Sequence, residues 1–319
     1  MKKFLTRLLF FIIPSLIIFF TIIFLPPSAS FKKCLLYSLI DKNNLMATDS
    51  SPRIIFIGGS NLSFGLNCQM IKDSLKINPI DIGIHIGLGL KYMLSNAEDY
   101  IRESDIIVVS PEYQNFYGEI ANGGIELLST IVEVSPKSIK LLDYKQYFSL
   151  IQNIPEFLKS KWESEITKSV SDTAIGIYDR KSFNSYGDVY THWKLPKEKV
   201  VPFGKMEGKM NKNLLLSLNN FKNLVYKKKA KLFIAFPCYQ DLSFVNSSLQ
   251  IKEIEVNLKK NGFNLLSAPE RYIIPDSLIF NSPYHLTKQG VDLRTTLLIE
   301  DLRKVLNLPL NAELKSYNN

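Results

Sequence analysis

A serine on a glycine turn and three histidines elsewhere in the chain are the residues with which this sequence could carry out acyl-transfer chemistry. Ser60 follows Gly58 and Gly59, directly after the apolar run 54–57. A serine hydroxyl becomes a nucleophile only when a base takes its proton, and histidine is the usual base. Helix N–H groups beside such a turn can also stabilise an oxyanion. The alternative interpretation is a glycine-serine connection with no chemistry.

The three histidines differ in their sequence surroundings. His285 stands just before a C-terminal helical pattern, on a loop that can reach across the end of the first strand, so it is the predicted base. His192 lies in a polar loop that suits ligand contact. His85 lies in a glycine-rich turn among isoleucines, where a structural imidazole is the favoured interpretation.

The elements that must position these residues alternate between strand and helix patterns. Because apolar runs alternate with helical periodicity, we predict a parallel sheet covered by helices on both faces, a three-layer α/β/α domain. An aromatic-rich insertion at about 119–200 interrupts the alternation, which then resumes. The predicted strands lie at 54–57, from residue 80, at 105–110, at 231–236 and at 263–266.

The N-terminus has the pattern of a membrane anchor. Residues 8–25 are apolar apart from one serine and one threonine, and basic residues precede them at positions 2, 3 and 7. A run of about 18 apolar residues is near the minimum for a transmembrane helix. Positive charge ahead of it predicts a cytoplasmic N-terminus and an exported body. The alternative is a signal peptide cleaved near residues 28–30.

These patterns divide the chain into three parts. Residues 1–30 are the predicted anchor, and 31–52 is a predicted linker. Within it, an apolar patch at 35–40 is expected to pack on the membrane surface or on the domain, and the chain is polar from residue 41. Residues 53–319 form the predicted α/β domain, which contains the insertion.

Composition agrees with a large folded domain and argues against nucleic-acid binding. Of the 319 residues, 46% are hydrophobic and 22% are charged, which is ample for a buried core. The formal charge is +9, but the first 33 residues contribute five of those charges, so the body is only mildly basic. The three cysteines show no metal-binding spacing and predict no disulfide framework. We expect no metal and no cofactor.

With these residues in place, the chain resembles the SGNH (GDSL-type) hydrolase superfamily. Ser60 matches the nucleophile of the family's first block, and His285 matches the base of its fifth block. Gly87 matches the second-block glycine that helps to bind the oxyanion, with Gly83 as the alternative. The resemblance implies a flavodoxin-like parallel sheet and serine ester chemistry.

The third block departs from the family pattern. It reads Ser110-Pro111-Glu112-Tyr113 where the family has Gly-x-Asn-Asp, so the asparagine donor is missing. A carboxylate cannot donate to an oxyanion unless it is protonated, so Glu112 must be neutral, bind something else or sit aside. The Ser-Pro variant is similar to that of envelope proteins that assist D-alanylation of teichoic acids.

The fifth block departs as well. The family has Asp-x-x-His, but here Ser282 stands three residues before His285 and Asn281 stands four before it. Asp276 could supply the acidic group from nearby. Alternatively, Ser60 and His285 act as a dyad.

We therefore expect a membrane-anchored SGNH-type serine esterase or O-acyltransferase that acts on a cell-envelope glycan outside the cytoplasm. The resemblance suggests a membrane-bound O-acyltransferase as partner. The rival hypothesis is a non-catalytic envelope protein that binds or assembles glycans with a degenerate SGNH fold. The candidate substrate-binding residues are Glu112, Tyr113, Asp188, His192, Trp193 and Arg294.

Overall fold

The computed structural model describes residues 2–166 and 176–309. Four parallel strands form the central sheet: β1 Arg53–Gly58, β2 Asn78–Asp81, β3 Ile106–Ser110 and β4 Lys231–Ile234. Their spatial order is β2-β1-β3-β4. The predicted strand at 263–266 is reduced to one parallel bridge between Ile234 and Leu265. Two short parallel strands, β5 Tyr239–Gln240 and β6 Ile273–Ile274, form a separate sheet.

Helices connect and cover these strands. In chain order they are α1 Lys2–Phe24, α2 Ser38–Thr48, α3 Ser60–Ser63, α4 Cys68–Leu75, α5 Leu90–Glu98, α6 Ile125–Ser129, α7 Tyr144–Ile166, α8 Lys212–Lys227, α9 Asp241–Asn246, α10 Ser248–Lys260 and α11 Lys288–Leu306. Asn67 and Asn211 cap the N-termini of α4 and α8 through their side chains, and Thr287 caps α11.

The sheet has a buried apolar face on each side. Successive strand side chains point to opposite faces, so Ile55 and Ile57 pack with α5, α8 and α10, while Ile54 and Phe56 pack with α4 and α11. The prediction of an α/β fold with a parallel sheet is therefore confirmed, and helices lie on both of its faces.

The N-terminal part of the chain differs from the predicted linker. Residues 31–52 contain α2, which packs on the domain through buried Leu39 and Met46. The Arg53 side chain donates to the Met46 carbonyl oxygen, and Arg102 donates to the carbonyl oxygens of Ala47 and Asp49. The segment packs through these two apolar side chains and through its main-chain carbonyl oxygens, and the polar composition from residue 41 onward did not reveal either kind of contact.

α1 occupies most of the predicted anchor. Within the described residues, the structure contains no helix that is both long and apolar enough to cross a membrane. The membrane anchor therefore stays a prediction.

The strand order indicates that a binding site would lie at the carboxyl ends of the central strands. β1 connects to β2 on one side, and the chain then crosses to β3 on the other side of β1. In open parallel sheets, ligands bind outside the carboxyl ends of the strands where the order reverses in this way. Here that crevice lies at the ends of β1 and β3, next to Ser60 and Glu112.

Candidate functional site

The turn that carries Ser60 is packed too closely for side chains before the serine. A Cβ at Gly58 would collide with the Ser110 carbonyl oxygen, and a Cβ at Gly59 would collide with the Glu112 carboxylate. Ser60 begins α3 and is partly exposed. The two glycines thus let β1 and β3 end side by side with the serine at their edge.

A buried polar network between α11, the turn and the end of β3 holds this turn in place. Arg294, on α11, is only 2% exposed and donates to the main-chain and side-chain oxygens of Asn61 and to Ser110 Oγ. Asn61 Nδ2 in turn donates to the Ser110 carbonyl oxygen at 3.0 Å. Arg294, predicted to bind substrate, therefore lies under the turn as structural support. The sequence analysis assigned no role to Asn61.

The loop that carries His285 lies between the turn after β1 and the segment after β3. The Leu286 N–H donates to the Phe64 carbonyl oxygen at 3.1 Å, and the Tyr113 N–H donates to Tyr284 Oη at 3.0 Å. The His285 ring stacks on Phe64, with 4.2 Å between ring centroids and 14° between planes. The structure thus brings the His285 loop against the residue that directly follows the Ser60 helix.

Of the three predicted orienting residues, Asn281 is the one that contacts the His285 ring. Asn281 Oδ1 lies 2.8 Å from His285 Nδ1, and Asn281 Nδ2 donates to Tyr178 Oη at 2.9 Å. Because the amide nitrogen is occupied by Tyr178, the amide oxygen faces the imidazole, and Nδ1 carries the ring proton. This tautomer leaves the Nε2 lone pair available to accept a proton.

The other two candidates are placed differently. The Asp276 carboxylate contacts Lys197 Nζ at 2.5 Å and Gln240 Nε2 at 2.7 Å. Ser282 accepts the His285 N–H at its carbonyl oxygen at 2.9 Å, so it shapes the loop through its main chain. Tyr178 was not predicted, and nothing in its local sequence indicates that it reaches Asn281.

Burial keeps both histidines of this region neutral. Burial lowers the pKa of His285 to about 3, with smaller contributions from His192 and His85. Burial also lowers the pKa of His192 to about 4. His192 lies between the rings of Phe64 and Phe280, and its Nε2 is 3.1 Å from the Leu286 carbonyl oxygen. As it lies, His192 supports the loop next to His285.

Ser60 and His285 border the same phenylalanine but are not hydrogen-bonded to each other. Among the described residues, Ser60 Oγ has no hydrogen-bond partner within the protein. Catalytic hydrogen bonds are often long without substrate and shorten when it binds. The predicted Ser60–His285 pair therefore stays a prediction.

Both predicted oxyanion glycines use their N–H groups inside the protein. The Gly83 N–H donates to Asp81 Oδ1 at 2.7 Å, and the Gly87 N–H donates to His85 Nδ1 at 3.1 Å. His85 Nδ1 also lies 3.5 Å from Glu126 Oε1. An oxyanion role for either glycine requires the exchange of its present bond.

Glu112 lies directly beside the Ser60 turn. It is 1% exposed, and its Oε1 accepts the Asn61 N–H at 3.1 Å. In the described part of the chain its Oε2 has no hydrogen-bond partner, and neither does the Tyr113 hydroxyl. Glu112 thus occupies the first helix N–H beside Ser60, as a capping carboxylate does.

The predicted ligand contacts of the insertion are largely internal. Asp188 is buried, and its Oδ2 accepts the Cys68 N–H at 2.7 Å. Trp193 is partly buried, with Lys288 Nζ 4.8 Å from its ring centroid. Asp188 and the buried His192 are inaccessible to a glycan in this conformation. Over residues 2–166 and 176–309, no cluster of three or more acidic, histidine or cysteine side chains could hold a metal ion.

Comparisons with known proteins add little to this geometry. No family model matches the chain, and no curated protein matches it. Among solved structures, the chain is similar to an acetyl xylan esterase (Est2A) from the rumen bacterium Butyrivibrio proteoclasticus. The sequence identity is 10%, the TM-score is 0.35, and the match covers 82% of this chain and 66% of that structure.

Proposed function

We propose that the chain is an SGNH-type serine esterase or O-acyltransferase that acts on an acylated cell-envelope glycan. The observation that supports the proposal is that Ser60 and His285 both contact Phe64, near the point where the strand order of the sheet reverses. There, Ser60 begins a helix at the end of β1, and His285 stacks on Phe64 with its Nδ1 bound by Asn281. A nucleophile, a neutral imidazole and a group that orients it are the parts that covalent acyl transfer requires.

In the proposed reaction, Ser60 Oγ attacks the acyl carbonyl carbon while its proton moves to His285 Nε2. The tetrahedral oxyanion collapses, and the leaving alcohol takes the proton from His285. Water or a sugar hydroxyl then gives a proton to His285 and attacks the acyl group on Ser60. The second tetrahedral oxyanion collapses, the bond to Ser60 Oγ breaks, and Oγ takes the proton back from His285, which releases the product and restores the free serine. Asn281 accepts a hydrogen bond from Nδ1 throughout, but unlike a carboxylate it adds no charge to stabilise the imidazolium.

A groove on the insertion supports a glycan as the acceptor. It has a volume of about 560 Å³ and opens between the 119–122 turn and α7. Tyr144 and Phe148 present exposed rings to it, and the exposed Gln152 adds a hydrogen-bonding group. Aromatic faces beside polar side chains suit the C–H and hydroxyl faces of sugars. The basic and apolar N-terminus supports a location at the outer face of the cytoplasmic membrane. A membrane-bound O-acyltransferase is the proposed partner there.

One observation favours the rival function, a glycan-binding protein without catalysis. The Glu112 carboxylate occupies the Asn61 N–H next to Ser60, while the N–H groups of Gly83 and Gly87 are bound elsewhere. A developing oxyanion would meet a carboxylate instead of free donors. The same groove would then serve binding alone.

Labelling with a fluorophosphonate distinguishes the two functions. For an esterase, the full-length protein should be labelled at Ser60, and the label should be absent from Ser60→Ala and strongly reduced in His285→Ala. In an ester hydrolysis assay the double variant should lose little more than either single variant, because the two residues act as a unit. A chain that is folded but shows no Ser60 labelling would favour the binding protein.

A further inference from the structure

Helix α2 sends a lysine ammonium group into the interior of the domain. Lys42 is 1% exposed, and its Nζ donates to three main-chain carbonyl oxygens. The acceptors are Asp81 at 3.0 Å, Gly83 at 2.5 Å and Gly187 at 2.7 Å. An ammonium group has three N–H donors, so all of them are satisfied by the protein.

These acceptors belong to segments that hold the Ser60 turn. The Gly83 carbonyl oxygen also accepts the hydroxyl of Ser63, the last residue of the helix that Ser60 begins. The Ser63 carbonyl oxygen accepts the Val189 N–H from the insertion at 2.9 Å. Lys42 therefore joins α2, the end of β2, the insertion and α3 at one point.

The surroundings of Nζ have the chemistry of a cation site. The carboxylates of Asp81 and Asp188 are buried nearby, and each has one oxygen with no hydrogen-bond partner among the described residues. The Phe183 ring centroid is 4.3 Å from Nζ. Three other titratable groups act on the cluster: the Cys68 thiol from α4, Asp41 from α2 itself and the more distant Arg294 from α11.

The directions of the pKa shifts agree with a site that is closed to water and in which the charges of Lys42, Asp81 and Asp188 interact. Burial lowers the pKa of Lys42, which the two aspartates partly counteract. Burial raises the pKa of Asp81 to about 7 and raises that of Asp188, while Lys42 acts to lower both. A buried cation in this position therefore offsets part of the cost of burying the two carboxylates.

We propose that Lys42 is a positioning residue for Ser60, and that its ammonium group fills a buried monovalent-cation site formed by the carbonyl oxygens of Asp81, Gly83 and Gly187. Through this site the N-terminal segment controls the placement of Gly83 and Ser63, and hence the reactivity of Ser60. The effect on reactivity rests on the proposed function. The cation site itself does not.

The test removes the lysine side chain from the full-length protein and offers a substitute cation. Lys42→Ala is compared with the wild type in ammonium and in tetramethylammonium chloride at equal ionic strength. The readouts are the thermal unfolding midpoint and the rate of fluorophosphonate labelling of Ser60. Lys72→Ala, which removes an exposed lysine from α4, is the matched control.

We expect Lys42→Ala to label at least about tenfold more slowly than the wild type, because small displacements of a reacting group cost large factors in rate. Ammonium should restore part of the rate and raise the unfolding midpoint, and tetramethylammonium, which is too large and has no N–H donors, should do neither. The wild type and Lys72→Ala should respond equally to both salts.

Each other outcome decides the question as well. Unchanged labelling in a folded Lys42→Ala overturns the positioning role, and an equal response to both salts overturns the cation site. If Lys42→Ala is unfolded in tetramethylammonium, folding in ammonium supports the site, and failure to fold in either salt overturns it. If the wild type shows no Ser60 labelling, the proposed function fails, while the unfolding midpoints still test the cation site.

Discussion

At the scale of single residues, the candidate base has a neutral partner where the SGNH hydrolases, which the sequence resembles, have an acid. Asn281 contacts His285 Nδ1, and Tyr178 fixes the orientation of the amide. This arrangement selects the useful tautomer, but it does not raise the basicity of the ring. With a pKa of about 3, His285 is neutral at physiological pH but is a weak proton acceptor.

We therefore expect Asn281→Asp to increase activity. A carboxylate against Nδ1 would stabilise the imidazolium and raise the pKa of His285 by roughly one to three units. The Tyr178 hydroxyl can rotate to donate to the new oxygen. Ester hydrolysis or fluorophosphonate labelling should become about tenfold faster, and the acidic limb of the pH profile should move to higher pH.

Ser282→Asp is the control for this prediction, because it introduces the family's acidic residue at the family's spacing. In this structure Ser282 contacts His285 through its main chain, so the change should leave the rate nearly unaltered. A faster Ser282→Asp together with an unchanged Asn281→Asp would show that the loop adopts the family's register instead.

The buried His192 makes a second prediction, about stability. Its pKa in the folded protein, about 4, lies below its ordinary value of 6.5 because burial disfavours the imidazolium. The folded state therefore binds fewer protons, and the stabilising contribution is complete above pH 6.5 and is lost as the pH falls toward 4.

We expect His192→Gln, which keeps a donor for the Leu286 carbonyl oxygen, to weaken the acid dependence of stability. Between about pH 7 and pH 4.5, the wild type should lose roughly 2 kcal/mol more free energy of unfolding than the variant. Urea unfolding of both proteins at the two pH values measures the difference. Parallel losses in the two proteins would contradict the burial argument.

At the scale of elements, α7 forms one wall of the candidate glycan-binding groove. α7 packs against α6 and lines the groove, and it leaves Tyr144 76% and Phe148 62% exposed. The groove wall connects to the Gly87 turn, since Gly124 N–H donates to the Gly87 carbonyl oxygen and Ser149 Oγ donates to that of Gly123. The groove wall is thus joined by hydrogen bonds to the turn that carries a predicted oxyanion glycine.

We expect the double variant Tyr144→Ala, Phe148→Ala to weaken the use of a glycan without changing the chemistry. The KM for an O-acetylated cell-envelope polysaccharide should rise about fivefold, because two aromatic contacts of about 0.5 kcal/mol each are lost. Hydrolysis of p-nitrophenyl acetate should be unaffected. Trp162→Ala removes an equally exposed aromatic residue from the same helix outside the groove. It should change neither the KM for the polysaccharide nor the hydrolysis of p-nitrophenyl acetate.

Equal effects of the groove variant and Trp162→Ala would indicate general damage to α7 and no role for the groove. An unchanged KM in a folded groove variant would exclude the groove as a binding site for that polysaccharide.

At the scale of the whole molecule, charge and hydropathy separate the N-terminus from the body. The basic residues at positions 2, 3 and 7 precede the apolar run, and the chain after residue 33 carries only the remaining +4 of the net charge of +9 left by the five basic residues before it. In the structure, the C-terminal end of α1 contacts α7, where Lys161 Nζ donates to the carbonyl oxygens of Ile23 and Leu25.

We expect the body to lie outside the cytoplasm and to remain attached to the membrane. An alkaline phosphatase reporter fused after residue 319 should be active, whereas a reporter that requires the cytoplasm should be inactive there. The full-length protein should sediment with membranes and resist extraction by high salt. A soluble mature protein that begins near Ala29 would instead establish a cleaved signal peptide.

The sequence by itself determined the features that depend on local patterns. Alternating apolar runs and helical periodicity predicted the parallel sheet, because each strand and helix signals its own buried face. The glycine pair predicted a tight turn before Ser60 because glycine reaches backbone angles closed to other residues. The structure adds a second reason, since a side chain at either position would collide with the end of β3 or with Glu112. The position of His285 before a helix start likewise predicted the loop that reaches the end of β1.

Only the tertiary structure decided which groups meet across that loop and which lie beneath it. The partner of His285 is Asn281, and no local pattern distinguishes it from Asp276 or Ser282. Arginine and lysine usually lie at the protein surface. Arg294 and Lys42 are nevertheless buried, because carbonyl and side-chain oxygens from distant parts of the chain accept their hydrogen bonds. Burial and hydrogen-bond partners are set by residues far apart in the chain, so local sequence periodicity could not reveal them.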